Sequence, residues 1–221
     1  LAADRFDSAL AVAAAGMASH HRTGSSFNIA VAMCLEAEVH LTQGRARQAV
    51  ERSRAALAAT LSPCYGLYGP YIVCEAVSYP GKQEYNHSEK YEIRHWDWDK
   101  PGNIKDYVTR LNRIRRENPA LHYLSNLRFY NAFEDNILFY GKMTQSKDNI
   151  VLVAVNLDPH AAHGGTLEIP LWELGLPDYA HVDVEDLFSG QRFTWIGKHQ
   201  HVWLDPHQNP AGIWRIRPPA A

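Results

Sequence analysis

The chain has 221 residues, of which 46% are hydrophobic and 21% are charged, a balance typical of a globular protein rather than a disordered one. Its formal net charge of -2 provides no basic field for nucleic acid or an anionic membrane surface. No apolar run reaches the roughly 20 residues that a membrane-spanning helix needs. We therefore predict a globular protein of one or two domains that has neither a nucleic-acid nor a membrane partner.

Cysteine and histidine usage argues against disulfides, metals and cofactors. The cysteines number three, an odd count, and lack the spacing of metal ligands. The histidine pairs at residues 20–21 and at 199 and 201 have no second set of ligands nearby. The chain begins with Leu1, and no signal peptide is readable around the apolar run at residues 9–15. We expect a cytoplasmic piece of a longer protein, with no metal and no cofactor.

Composition changes sharply along the chain. Residues 1–60 contain no Trp, Tyr or Lys, whereas all six Trp lie from residue 96 onwards, which predicts two units of different architecture. In the first unit, helices over about residues 27–42 and 46–59 would join at Gly44, because glycine commonly ends a helix. This pattern resembles tetratricopeptide-type helical repeats, which normally need three or more units. The alternative is an Ala-rich helical hairpin that packs on another element.

The next segment mixes strand and helix signals. The apolar residues and glycines of residues 64–74 predict a buried strand. A polar loop follows to residue 99, and the apolar residues of 104–117 recur on one face of a helix. Asn118-Pro119 should end that helix, because the residue before a proline avoids helical geometry.

From residue 127 the hydrophobic period changes to two, which predicts β-strands. Hairpin turns are expected at residues 134–136 and at Ser189-Gly190. Short strands at this spacing favour an antiparallel β-sandwich of about 90 residues. The predicted strands cover residues 129–133, 137–143, 150–156, 166–169, 182–187, 193–196, 201–204 and 212–217.

Several segments between residues 54 and 217 carry specific sequence motifs. They are L-A-A-T-L-S-P at 57–63, Y-G-L-Y-G-P at 65–70, S-E-K-Y-E-I-R-H-W-D at 88–97, L-N-R-I-R-R-E-N-P-A-L at 111–121, V-N-L-D-P-H at 155–160 and D-L-F-S-G at 186–190. Taken together, this part of the chain resembles the C-terminal part of GlgE-type maltosyltransferases of the α-amylase superfamily. Those enzymes extend α-1,4-glucans from maltose-1-phosphate by a retaining mechanism.

The resemblance implies a mixed α and β fold in three parts. Residues 1–53 would be the tetratricopeptide-like helical segment, 54–122 the remnant of the end of a (β/α)8 barrel, and 123–221 the C-terminal β-sandwich. Within the remnant, residues 54–60 would belong to the last-but-one barrel helix, 65–73 to the eighth strand and 104–117 to the final helix. A whole barrel takes about 250 residues, so most of it would be missing here.

Catalysis in this family requires two carboxylates about 5 Å apart on either side of the glycosidic carbon. The resemblance places them upstream of the matched part, and no motif in residues 1–60 supplies them, so we assign no catalytic residue. It also implies that Lys90 and Tyr91 contact the bound maltosyl group. An ammonium and a phenol suit sugar hydroxyls, and the tyrosine ring offers a flat apolar face.

Other candidate residues have structural explanations. Asp97 and Asp99 flank Trp98, but alternate residues of an extended loop point in opposite directions, so turn and helix-start hydrogen bonding is the preferred interpretation. Four tryptophans of the sandwich region could stack on glucose rings, although core or edge packing is favoured; they are Trp172, Trp195, Trp203 and Trp214. The basic residues of the 104–117 helix should form a solvated face; they are Arg110, Arg113, Arg115 and Arg116.

Two hypotheses remain open at this point. The first is a maltosyltransferase fragment that is inactive alone, with maltose-1-phosphate and α-glucan as the ligands of its family. The second is a non-enzymatic module whose helical repeats contact proteins and whose sandwich is an accessory or weak glucan-binding domain. An unpaired strand over residues 65–73 would expose open edges, which predicts self-association into a possible homo-oligomer.

Overall fold

The computed structural model describes residues 47–75, 77–78, 81, 85–86, 89–90 and 92–218. The first predicted helix and the tetratricopeptide-like pattern lie outside these residues. The described helices are α1 (Arg47–Leu61), α2 (Gly69–Ile72) and α3 (Lys105–Glu117), and short 3-10 turns follow at Pro119–His122 and Leu171–Leu174. The predicted helices near 46–59 and 104–117 are therefore confirmed within a residue or two. The expected domain boundary after residue 53 falls inside the continuous helix α1.

Eight antiparallel strands follow the helices. They are β1 (Leu127–Tyr130), β2 (Ile137–Met143), β3 (Ile150–Asn156), β4 (His163–Glu168), β5 (His181–Asp186), β6 (Arg192–Ile196), β7 (His199–Leu204) and β8 (Ala211–Arg217). Six of them form one sheet in the order β1-β2-β3-β8-β5-β6, and β4 pairs with β7 in a second sheet. The antiparallel sandwich predicted from the period-two pattern is thus present, and the bounds of β2 and β3 match the prediction.

The large sheet separates two apolar cores. On one face, alternate residues such as Tyr140, Val153 and Ile213 pack against α1 and α3. On the other face, Leu152 and its neighbours pack against the inward residues of β4 and β7. Because both faces are covered, all seven residues of β3 are buried. The described part of the chain therefore has three layers: helices, large sheet and small sheet.

Alanines allow α1 to lie close to its neighbours. Ala55, Ala56 and Ala59 are buried, and Thr60 Oγ1 lies 2.6 Å from the hydroxyl of Tyr140 on β2. Burial raises the pKa of the Tyr140 phenol well above its ordinary value, so this group stays neutral and hydrogen-bonded. The polar contact fixes the position of the helix above the sheet.

A buried asparagine pair joins the end of α3 to the sandwich. Asn118 donates to the carbonyl of Ile114 at 2.7 Å and accepts from the Asn149 side chain at 3.0 Å. Asn149 in turn accepts from the backbone N–H of Ala120 at 3.0 Å. Because these buried polar groups satisfy one another, they anchor the helix terminus beside the apolar contacts of Ile114 and Leu121.

The arginines of α3 correct the expectation of a uniformly solvated face. Arg115 donates to the carbonyls of Ala59, Ser62 and Pro63, the first two at 2.7 and 2.8 Å, and so binds the orphan carbonyls at the end of α1. Arg110 donates to the carbonyl of Leu187 at 2.8 Å. A guanidinium has five donors, which suits it to several carbonyls at once. Arg113 and Arg116 are exposed, as predicted.

The strand predicted over residues 64–74 is wrong. Residues 64–68 carry no strand pairing, and α2 occupies Gly69–Ile72, with a proline in its first turn. Proline suits the start of a helix because its missing N–H would be unpaired there in any case. The open strand edge from which we expected self-association is therefore not present in this segment.

Candidate functional site

The candidate sugar-binding loop follows α2 and returns to it. Glu75 N donates to the carbonyl of Pro70 at 3.0 Å at the start of the loop, and Ile104 N donates to the carbonyl of Ile72 at 2.8 Å at its end. Between these points a bridge pairs Ser78 with Tyr85. The loop thus projects from one short helix, and most of its described side chains are exposed.

Glu89 is the anchor of this loop. Its carboxylate accepts hydrogen bonds from the Tyr68 hydroxyl and from the indole N–H of Trp96, and its backbone N–H donates to the Tyr68 hydroxyl oxygen at 3.3 Å. The donations from Tyr68 and then Trp96 hold the pKa of Glu89 below its ordinary value. Lys90 is the next residue along the chain. Its backbone is therefore positioned by Glu89, which Tyr68 and Trp96 hold in place.

Aromatic rings surround this anchor. The rings of Tyr68 and Tyr85 lie 5.6 Å apart, and the guanidinium of Arg94 lies 4.8 Å from the Trp96 ring centroid. Trp98 lies against the start of α2, where a Cβ added to Gly69 would meet its ring at 3.0 Å. Aromatic faces beside charged donors and acceptors are the groups that recognise a sugar, which has both C–H faces and hydroxyls.

Of the two predicted sugar contacts, the structure describes only one. Lys90 is exposed, beside the Glu89 anchor. Tyr91 lies outside the described residues. The supporting roles of Tyr68 and Trp96 were not predicted, because these residues are 21 and 7 positions from Glu89, and no local pattern links them.

Asp97 and Asp99 form local contacts, as expected. Asp97 Oδ1 accepts the backbone N–H of Asp99 at 3.1 Å, which closes a turn. The carboxylate of Asp99 pairs with Lys105 at the first position of α3. Both aspartates are exposed and form local contacts at the turn and at the start of α3, so we assign neither residue to catalysis.

The four tryptophans of the sandwich region divide into two pairs. Trp195 and Trp214 are buried and meet edge to face, with ring centroids 5.4 Å apart, so the packing prediction is confirmed for them. Trp172 is 50% exposed and Trp203 is 65% exposed, so these two lie outside the core, which leaves edge packing from the two kinds of packing predicted. Trp203 points outward because Val202 and Leu204, its neighbours in β7, point inward.

Two further sequence expectations can be compared with the structure. Among residues 47–218, in so far as the structure describes them, no group of three or more His, Cys, Asp or Glu side chains could hold a metal ion. Over the same described residues, no helix combines the length and apolarity needed to cross a bilayer.

Comparison with known proteins connects this geometry to a family. Residues 129–216 match the family model described as GLGE, C-terminal. The α-1,4-glucan:maltose-1-phosphate maltosyltransferase of Cereibacter sphaeroides is 54% identical over 168 residues, which is 76% of this chain and 25% of that protein. Its namesake from Rhodospirillum rubrum is 53% identical over 165 residues, or 75% of this chain and 24% of that protein. The chain thus spans about a quarter of the length of these relatives.

Solved structures show the same fold at low identity. An AmyP variant solved with maltotriose superposes with a TM-score of 0.57 at 14% identity, covering 78% of this chain and 35% of AmyP. An α-amylase from Anoxybacillus superposes with a TM-score of 0.55 at 14% identity, covering 84% of this chain and 36% of the amylase. The chain is therefore similar, over about three quarters of its length, to part of an α-1,4-glucan:maltose-1-phosphate maltosyltransferase, and residues 129–216 match the C-terminal model of the GLGE family.

Proposed function

We propose that this chain supplies the C-terminal β-sandwich and a sugar-contacting loop of a retaining maltosyltransferase, which extends α-1,4-glucans from maltose-1-phosphate. The observation that carries the proposal is the 54% identity over 168 residues to a relative of that name. The anchored position of Lys90 in the loop supports it. Maltose-1-phosphate and α-glucan are accordingly the proposed ligands, in a cytoplasmic setting.

In this proposal, Lys90 and Tyr91 bind the maltosyl group. Lys90 presents an ammonium with three donors to sugar hydroxyls, and the bound carboxylate of Glu89 fixes the backbone from which it projects. The aromatic rings around Glu89 would shield the sugar from water, which strengthens each polar contact. This loop supplies binding and orientation.

The chemistry itself would come from carboxylates outside the residues that match the family. We propose that residues 54–122 are the end of a (β/α)8 barrel and that residues 1–53 are a separate tetratricopeptide-like helical segment. The similarity to α-amylase-type structures over about four fifths of the chain, more than the sandwich alone, supports the barrel assignment. A chain with these parts would bind sugar without transferring it.

The test compares Lys90→Ala with Lys100→Ala, an exposed lysine later in the same loop. Isothermal titration of the purified chain with maltose-1-phosphate should show binding that Lys90→Ala weakens by about tenfold or more, since hydrogen bonds from charged groups contribute roughly 1.5–3 kcal/mol. Tyr91→Ala should act in the same direction. Lys100→Ala should leave the affinity unchanged. Equal affinities of the Lys90→Ala variant and the unmodified chain would refute the proposed contact.

A further inference from the structure

The outer face of the small sheet carries a row of exposed rings. In β7 the outward residues are His199, His201 and Trp203, and all three are exposed. Phe133, from the β1–β2 connection, is 65% exposed and lies edge to face with His199, at 6.0 Å between centroids. At about 3.3 Å per residue, the row from Trp203 to His199 is roughly 13 Å long, with Phe133 extending it. It is long enough for several sugar units.

A glycine opposite Trp203 shapes the end of this row. Gly164 of β4 is the register partner of Trp203, and a Cβ added to it would meet Cε3 and Cζ3 of the indole at 2.9 and 3.2 Å. The six-membered ring therefore lies directly against the strand where a side chain would otherwise stand. The rest of the indole faces solvent, which accounts for its 65% exposure. A large flat apolar surface is held in place by backbone.

Phe133 is exposed at an energetic cost. Its φ is +47°, in the left-handed region that a bulky residue rarely adopts. Such strain persists only where the surroundings impose it, and it clusters at ligand-contact sites. Because Phe133 is 65% exposed, burial of its ring offsets little of this conformational cost. A ligand that covers the ring beside His199 would account for its position.

The charge of the face identifies the class of ligand. Glu168 on this face accepts from the Asn131 side chain at 2.8 Å and lies 3.8 Å from the ammonium of Lys198, which pairs more closely with Asp178 at 2.7 Å. Thr166 lies between Glu168 and Gly164 on the same face of β4 and contributes a hydroxyl. The face thus combines rings, hydroxyl and imidazole groups with two carboxylates that share one ammonium, which suits a neutral polyhydroxyl chain and disfavours a polyanion.

We propose that the outer face of β4 and β7 binds an α-1,4-glucan chain, with Trp203 as the stacking platform. The choice of glucan among neutral polysaccharides rests on the function proposed above. The site lies on the small sheet, whereas the Lys90 loop follows α2 on the helix side of the large sheet. The face would hold a long acceptor on the protein while the loop contacts a short donor.

The test is affinity electrophoresis of the full chain in native gels with and without glycogen, together with fluorescence titration with maltoheptaose. Trp203→Ala should weaken maltoheptaose binding by about tenfold or more and abolish retardation, because an aromatic residue that the ligand covers commonly dominates a binding site. Trp172→Ala is the matched control: this residue is also exposed but lies edge-on against Tyr130, in the turn after β4, and its loss should change binding less than about twofold.

A second variant keeps the indole and moves it. Gly164→Ala should displace the ring and weaken binding by several fold without changing the far-ultraviolet circular dichroism. Gly66→Ala, where an added Cβ has nothing within 4 Å, should be neutral. Comparison of these two variants distinguishes displacement of the Trp203 ring from unfolding of the chain.

Three outcomes would overturn the inference: no retardation of the unmodified chain, binding by Trp203→Ala within twofold of that chain, or loss of glycogen retardation in Lys90→Ala. The last would mean that glucan binds through the loop, and the proposed function would stand. If sedimentation shows that Trp203→Ala dissociates a dimer while glycogen has no effect, the face is a contact between copies of the chain. Failure of Lys90→Ala to alter maltose-1-phosphate binding would count against the proposed function alone.

Discussion

The β-sandwich and the loop that carries Lys90 differ in how their side chains are held. In the sandwich, β3 is buried along its whole length between two apolar cores. In the loop, the side chains are mostly exposed, and the described contacts of Glu89 are hydrogen bonds to Tyr68 and Trp96. Burial therefore stabilises the first region, while a few polar contacts position the second. We therefore expect buried side chains to determine the stability of the sandwich and hydrogen bonds to determine the local order of the loop, and four substitutions test this.

The largest loss of stability is expected from Leu152→Ala. Leu152 is almost fully buried at the centre of β3, so its truncation should lower the free energy of unfolding by about 3 kcal/mol through lost burial and a residual cavity. Urea denaturation followed by tryptophan fluorescence measures this. Ile93→Ala is the control in the loop: Ile93 is 91% exposed, and the expected change is within about 0.5 kcal/mol. Comparable losses from the two variants would contradict the contrast between the regions.

The next effect concerns a buried lysine in β2. Lys142 is 1% exposed and donates to the carbonyl of Tyr123 at 2.8 Å. Burial, with a smaller contribution from Arg115, lowers the pKa of Lys142 from 10.5 to about 8. Between these two values the unfolded chain binds more protons than the folded one, so stability should rise with pH from about 8 to 10.5. Below pH 8 the buried ammonium is charged, and the shift destabilises the folded chain by its full amount, roughly 3 kcal/mol.

Lys142→Met should remove this penalty and the pH dependence that comes with it. We expect a gain of about 2 kcal/mol at pH 7 that disappears towards pH 10, because an apolar side chain of similar length replaces a buried charge. Denaturation at a series of pH values measures the difference between the two proteins. Lys100→Met, at an exposed site, should follow the unmodified chain throughout. A variant destabilised at pH 7 would mean that the lysine is retained for stability.

A smaller effect is expected at the edge of the sandwich. His163 Nε2 lies 3.0 Å from Asp158 Oδ2, and its Nδ1 lies 3.5 Å from Glu134 Oε1. Burial alone would raise the pKa of Asp158, but hydrogen bonds from His163 and from the backbone at His160 and Ala161 outweigh it and hold the pKa below the ordinary value. A lowered pKa gives stability that is present above the unfolded value of about 4 and is lost as pH falls through the folded value.

Asp158→Asn should therefore lower the free energy of unfolding at neutral pH. It should also reduce the further loss of stability as the pH falls. Thermal melting between pH 6 and pH 2 records both changes. Asp135→Asn, an exposed carboxylate in the nearby β1–β2 turn, is the control and should keep the acid dependence of the unmodified chain. If the stability of Asp158→Asn fell with acid as steeply as that of the unmodified chain, the pairing with His163 would contribute nothing to the acid dependence.

The smallest change in stability is expected from Tyr68→Phe. Loss of the hydroxyl removes one donor to Glu89, so the pKa of Glu89 should rise towards its ordinary value, while the free energy of unfolding changes by no more than about 0.5 kcal/mol. Hydrogen exchange at the Glu89 amide, which donates to the Tyr68 hydroxyl, should become faster. Tyr179→Phe, at an exposed site, is the control. Unchanged exchange would mean that Tyr68 does not hold the loop.

Local pattern was enough to predict most of the sandwich. Short apolar runs bounded by turn residues gave β2 and β3 with their observed bounds, and the uninterrupted run in β3 fits a strand that is covered on both faces. The alternation of residues in β7 contained the orientation of Trp203, since Val202 and Leu204 occupy the inward positions beside it. The general preference of tryptophan for core or edge packing did not distinguish the two for Trp203, whereas the register of its strand places the ring on the outer face.

Other features depend on contacts that no local pattern contains. The apolar residues of 65–73 suit a strand or a helix, and Pro70 at the start of α2 decides for the helix. Arg115 seemed a surface residue because its partners, the last carbonyls of α1, lie more than 50 positions away. For the same reason the contact of Tyr68 with Glu89 could not be read from the motif that identified Lys90.

The most direct test of the account is phosphate release from maltose-1-phosphate by the purified, folded chain with glycogen as acceptor. Because we propose that this chain contacts sugar while the catalytic carboxylates lie outside the matched part, we expect no release above the protein-free background. Release at enzyme-like rates, on the order of 1 per second or faster, would contradict it. Such a result would mean that this chain holds a pair of catalytic carboxylates of its own.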